Sequence, residues 1–84
     1  MGQIYGNVAM YSVHFIRGGA LLVEAFEGDH AYTNASDFLE CLRANDDVTY
    51  ISMARLDGGE WKYVQEPLER KLGGEWQPKA NHTS

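Results

Sequence analysis

Two glycine pairs, Gly18-Gly19 and Gly58-Gly59, each separate two runs of alternating apolar residues, a pattern that commits most of the chain to a pair of β-hairpins. A two-residue hairpin turn that matches the twist of its strands needs positive φ at both central positions, and glycine adopts positive φ without steric cost. In the first hairpin, Tyr11, Val13 and Phe15 alternate with Ser12, His14 and Ile16. A turn at Gly18-Gly19 pairs Phe15 with Leu22, Val13 with Glu24 and Tyr11 with Phe26. The opposite side then carries Ile16, Leu21, His14, Val23, Ser12 and Ala25. Because Glu24 falls among Tyr11, Val13 and Phe15, that set is expected to form a solvent-facing aromatic surface and the other set to face the core.

The second hairpin runs from Val48 to Leu56, turns at Asp57-Gly58-Gly59-Glu60 and returns over Trp61 to Gln65. This places Leu56 beside Trp61, Ala54 beside Tyr63 and Met53 beside Val64. Pro67, which donates no ladder hydrogen bond, is expected to end the strand, with Leu68 to Leu72 forming one helical turn. A third pair, Gly73-Gly74, opens an echo of the second turn, Gly-Gly-Glu-Trp, so Trp76 is a candidate for a short edge strand near Trp61.

Between the hairpins the spacing changes to that of a helix: Ala35, Phe38, Leu39 and Leu42 make one apolar stripe, with Asp37, Glu40 and Arg43 away from it. Thr33, Asn34 and Ser36 are N-cap residue types, Asp37 suits the first turn, and Asn45 is expected to close the helix in a left-handed conformation. The predicted fold is therefore α+β, two antiparallel β-hairpins forming a four-stranded sheet with one helix packed on one face (ββαββ). Residues 1–78 make a single compact domain, and 79–84 are polar enough to fray.

Eighty-four residues enclose only a thin core, which argues against an enzyme with a large substrate. The chain is 44% hydrophobic, too apolar for the disordered class. One cysteine, Cys41, makes neither an intrachain disulfide nor a cysteine-pair zinc set, which suits a reducing cytoplasm. There is no apolar run of membrane-spanning length, and Met1 to Gly6 lacks the features of a signal peptide. The net charge of −5 is unevenly placed: residues 1–50 hold seven acids against two bases, whereas residues 51–84 hold five of each. The first hairpin and the helix therefore carry all of it, a distribution that repels nucleic acid and favours a basic protein surface.

No residue cluster makes a catalytic, cofactor or metal signature. Glu27-Gly28-Asp29-His30 lacks the spacing of a ligand set and is expected to be a solvated acidic loop. His14 is expected to be a partly buried structural histidine in mid-strand, and Cys41, with Glu40 beside it, a buried small hydrophobe. The Asn81-His82-Thr83 triplet matches a glycosylation sequon in a chain with no visible secretory signal. The aromatics Tyr5, Tyr11, Phe15, Trp61, Tyr63 and Trp76 exceed what a thin one-sided core needs, and they suggest a binding face or a dimer seam.

In size, acidity and element order, carried by the Gly18-Gly19 hairpin, the Ser36 to Leu42 helix and the Val48 to Gln65 hairpin, the chain resembles the small phage-encoded anti-CRISPR proteins that inhibit type I CRISPR–Cas surveillance complexes. The resemblance implies a cytoplasmic, non-enzymatic inhibitor acting in an infected bacterial host. Its partner would be a basic, nucleic-acid-handling protein complex, and it would block DNA binding or nuclease recruitment without touching nucleic acid or membrane itself. Glu24, Glu27, Asp29, Glu40, Asp46 and Asp47 are then expected to steer the contact, with Tyr11 and Phe15 as apolar anchors. The charge density suits occlusion of a protein surface better than extended mimicry of DNA. The alternative is a small structural or regulatory protein of phage or bacterial origin that dimerises through its sheet edge or aromatic face. A small enzyme using His14 or Cys41 ranks third.

Overall fold

A computed structural model describes residues 9–79. Tyr5, the Met1 to Gly6 segment and the Asn81 to Thr83 triplet lie outside the described residues. The elements are β1 (Met10–Arg17), β2 (Ala20–Glu27), α1 (Ala31–Arg43), β3 (Val48–Asp57), β4 (Glu60–Glu69) and β5 (Gln77–Pro78). The strands form one antiparallel sheet in the order β2-β1-β3-β4-β5. The Cα envelope measures 49 × 32 × 18 Å, and its short dimension is that of one sheet carrying one helix layer.

Both glycine turns have the predicted form. Gly18 and Gly19 have φ of 59° and 83°, Gly58 and Gly59 have 63° and 87°, and each pair joins strands through a type I′ geometry. The β1–β2 register follows the expected pairing, with Phe15 opposite Leu22, Val13 opposite Glu24 and Tyr11 opposite Phe26. A Cβ at Gly19 would meet nothing within 4 Å, so the demand for glycine comes from the backbone alone. Gly19→Ala is accordingly expected to cost about 1–2 kcal/mol in thermal or urea unfolding, the usual penalty for an L-residue in the left-handed region, and Gly19→Asn less.

The face assignment of the first hairpin is the reverse of the expectation. Tyr11, Val13 and Phe15 are buried beneath α1, together with Ile51 and Met53 of β3, while Leu21 and Val23 lie on the open side. The reason lies in where the helix sits: α1 packs on β1 and β3 and reaches β2 only partly. Glu24 shares a side with Val13, but it stands on the edge strand and remains exposed. The charge was therefore a marker of the strand's position, not of the face's solvation.

The helix begins earlier than predicted, with His30 as N-cap and no acid in the first turn, so Thr33, Asn34, Ser36 and Asp37 all fall inside it. Ala31 joins Ala35, Leu39 and Leu42 in the buried stripe, and half-buried Phe38 meets Phe15 edge-on at 5.4 Å and Phe26 at 5.6 Å. Beyond the helix, Asn45 acts through its side chain, its Oδ1 accepting the Asp47 N–H at 2.9 Å, while its φ stays negative.

The second hairpin runs further than predicted. Leu56 pairs with Trp61 and Ala54 with Tyr63 as expected, but Met53 stands opposite Gln65 rather than Val64. Between the Ala54, Met53 and Ile51 pairings β4 twice uses an extra residue, and the second bulge contains Pro67. A proline in a bulge interrupts no ladder bond, so β4 passes through it to Glu69 and no helical turn forms there. The bulge also turns Leu68 onto the helix side, opposite Ile51, where it packs on the core.

The fifth strand is the short edge strand suspected near Trp76, but it pairs with Leu68 and Glu69, at the opposite end of β4 from Trp61. The segment is held by Arg70. Its guanidinium donates to the carbonyl oxygens of Val48 at 2.9 Å, Asn45 at 2.6 Å and Gly74 at 3.3 Å, and it lies 4.2 Å over the Trp76 ring. Trp76 Nε1 donates in turn to the Arg43 carbonyl at 3.0 Å, satisfying one of the acceptors that the last turn of a helix leaves free.

Candidate protein-binding faces

A single helix covers a single side of the sheet, and the result is a molecule with two unlike faces. The stretch from Glu24 to Asp47, comprising the second half of β2, the helix and its two connecting loops, contains seven acids and one base, Arg43. Of the predicted contact residues, Glu24, Glu27, Asp29, Glu40, Asp46 and Asp47 all lie exposed in this stretch. They do not converge on one point. Glu27 and Asp29 precede the helix, Asp46 and Asp47 follow it, and its 13 residues separate the two groups by about 20 Å. Glu40 lies between them on the exposed side and holds Arg43 at 3.5 Å, an exposed pair of little energetic weight. Apart from Glu27, which alternation puts at the margin of the open side of β2, the acids thus spread along the helix layer and its loops as a broad negative surface.

Tyr11 and Phe15, expected as apolar anchors on the outer surface, are 7% and 6% exposed. Tyr11 is enclosed by Tyr32, whose ring centroid is 5.5 Å away, and by the Arg55 guanidinium at 5.9 Å. Both residues belong to the core, so neither is presented to a partner.

Among the described residues nothing covers the other side of the sheet. Its residues align across the strands: Val23, His14 and Ser52 in one row; Leu21, Ile16 and Tyr50 in the next; Ala25, Ser12, Ala54 and Tyr63 in a third; Leu56 and Trp61 beyond them. Small side chains occupy the middle, and Ser12 and Ser52 are buried there, Ser12 Oγ lying 3.5 Å from His14 Nδ1. Trp61 and Tyr63 rise on one flank and Leu21 and Val23 on the other, each at least half exposed. The depression between Tyr50, Ser52, Ala54 and the two aromatics has a volume of about 530 Å³. Charge enters this face only at its margins, where Glu27 stands beside Met10 and Glu69 is held by Lys79 at 3.8 Å.

The sequence marks Trp61 and Tyr63 as surplus aromatics, but it misassigns Leu21 and Val23 to the core. The available signal was bulk: Tyr11, Val13 and Phe15 fill space under a helix, whereas Ser12 and His14 do not. The two candidate nucleophilic or basic groups lie apart. His14 is on the open sheet side and Cys41 is exposed on the helix, about 100° from the buried Leu42, so the sheet stands between them. Among the described residues no group of three His, Cys, Asp or Glu side chains is placed to hold a metal ion, and no helix is long and apolar enough to cross a membrane. No protein-family model, curated protein or solved structure matches the chain.

Proposed function

We propose that this protein is a non-enzymatic inhibitor that binds a type I CRISPR–Cas surveillance complex through its acidic helix layer and blocks DNA binding or nuclease recruitment. The observation that carries this reading is the concentration of acidic residues in one stretch, seven acids to one base over residues 24–47, six of them in the helix layer and its flanks, beside a sheet face that carries charge at its margins. Proteins that handle nucleic acid present basic surfaces, and a broad negative layer is attracted to them at long range, raising the association rate. Spread over about 20 Å rather than focused in a pocket, the acids suit occlusion of a protein surface.

A second reading, a small dimeric interaction protein of phage or bacterial origin, is supported by the open apolar sheet face. The two are separated by capture of defined type I surveillance complexes on the tagged protein. Retention of the complex, and its loss when Glu24, Glu27 and Asp29 are changed to lysine, is the expected result. Failure to retain any such complex removes the inhibitor reading.

A further inference from the structure

The open sheet face is uncovered among the described residues, and its extent and apolar flanks fit a second copy of this chain. We propose that two molecules pack face to face through the β2-β1-β3-β4 side opposite the helix, forming a two-sheet sandwich with both helix layers outermost. The inference stands apart from the inhibitor reading and gives the second reading its seam.

Three observations lead to it. The first is extent. Four strands at about 4.8 Å spacing and about eight residues at about 3.4 Å rise cover on the order of 500 Å². Two such faces bury on the order of 1,000 Å², which is where specific interfaces begin. The second is chemistry: Leu21 at 64%, Val23 at 55%, Trp61 at 50% and Tyr63 at 58% exposure crowd one side of a small protein. Apolar exposure of this kind, bordered by polar groups, marks a contact surface.

The third observation is electrostatic. Each chain carries −5, so any homodimer must keep its acids apart. Face-to-face packing sends the two acidic layers to opposite outer surfaces. The competing arrangement, edge pairing of β2 with β2 of a second molecule, extends the sheet and sets both helix layers side by side on one face, with the Glu24 residues along the junction. Repulsion disfavours it.

The test is the mass of the full chain in solution by sedimentation or light scattering, at micromolar concentration and in low and high salt. A dimer of twice 9.4 kDa is expected, and salt should tighten it because it screens the repulsion between the chains. Trp61→Lys and Val23→Lys, both at exposed sites, should each weaken the dimer roughly tenfold or more while leaving the thermal melt of the monomer unchanged. Glu24→Gln is the control for the edge, because Glu24 stands on the β2 edge on the side of Val13, away from the open face. It should leave the face-to-face dimer unchanged, whereas a β2-to-β2 edge dimer should tighten once the charges along its junction are gone. A monomer under all conditions, a dimer indifferent to both lysines, or a dimer tightened several-fold by Glu24→Gln would each overturn the proposal.

Discussion

Phe15→Ala is expected to destabilise the protein by about 3–5 kcal/mol, the range for deleting a fully packed aromatic side chain. For a domain of this size that corresponds to a fall of about 12–40 °C in the melting temperature followed by circular dichroism. Phe15 is 6% exposed and sits edge-on against Phe38, which in turn touches Phe26, so its removal opens a cavity at the point where β1, β2 and α1 meet. The same substitution at an exposed anchor would change stability by less than about 0.5 kcal/mol. The measurement therefore distinguishes the two ways of facing the first hairpin. A small effect on stability would mean that the helix does not cover Tyr11, Val13 and Phe15.

Arg70→Ala has the second-largest expected effect, about 3 kcal/mol, or a fall of about 12–24 °C in melting temperature. The guanidinium joins three parts of the chain, the loop after α1 through Asn45, the start of β3 through Val48, and the C-terminal segment through Gly74 and Trp76, and so reinforces the Val48 N–H bond to the Asn45 carbonyl at 3.1 Å and the Trp76 bond to the Arg43 carbonyl. Hydrogen bonds from a charged donor are worth more than neutral ones, and three are lost at once, the Asn45 carbonyl keeping only its bond from the Val48 N–H at 3.1 Å. Lysine at this position should recover little, because an ammonium has neither the planar fork nor the flat face that covers Trp76. Trp76→Phe should cost less than Arg70→Ala, since it keeps a ring beneath the guanidinium and loses only the bond to the Arg43 carbonyl.

The hairpins were legible in the sequence because their information is local. Glycine at both turn positions sets the register, and the pairings Phe15 with Leu22 and Leu56 with Trp61 follow from counting outward. The helix was legible in type and stripe but not at its start, because His30, Ala31 and Tyr32 carry no capping signal. What was not legible is long-range. The face of the first hairpin depends on which side of the sheet the connection through Gly28 and Asp29 delivers the helix, and alternation alone is symmetric between the two sides. The passage of β4 through Pro67 depends on bulges that exist only opposite Met53 and Ile51. The clamp of Arg70 on Asn45 and Val48 joins residues more than 20 positions apart, beyond the reach of any local pattern. For the same reason the exposed acids were correctly placed on the outside as individual residues, while Tyr11 and Phe15, whose role needed the face, went to the wrong surface.

Recognition through the acidic helix layer is tested most directly by titrating a purified type I surveillance complex with this protein in low and high salt. The comparison variants are the triple reversal Glu24→Lys, Glu27→Lys, Asp29→Lys and the open-face substitution Val23→Lys. Binding is expected to weaken as salt rises, to fall at least about tenfold in the triple reversal, and to survive Val23→Lys, as for a contact steered by exposed charge. Binding that is insensitive to both salt and charge reversal, or no binding at all, would contradict recognition through this layer.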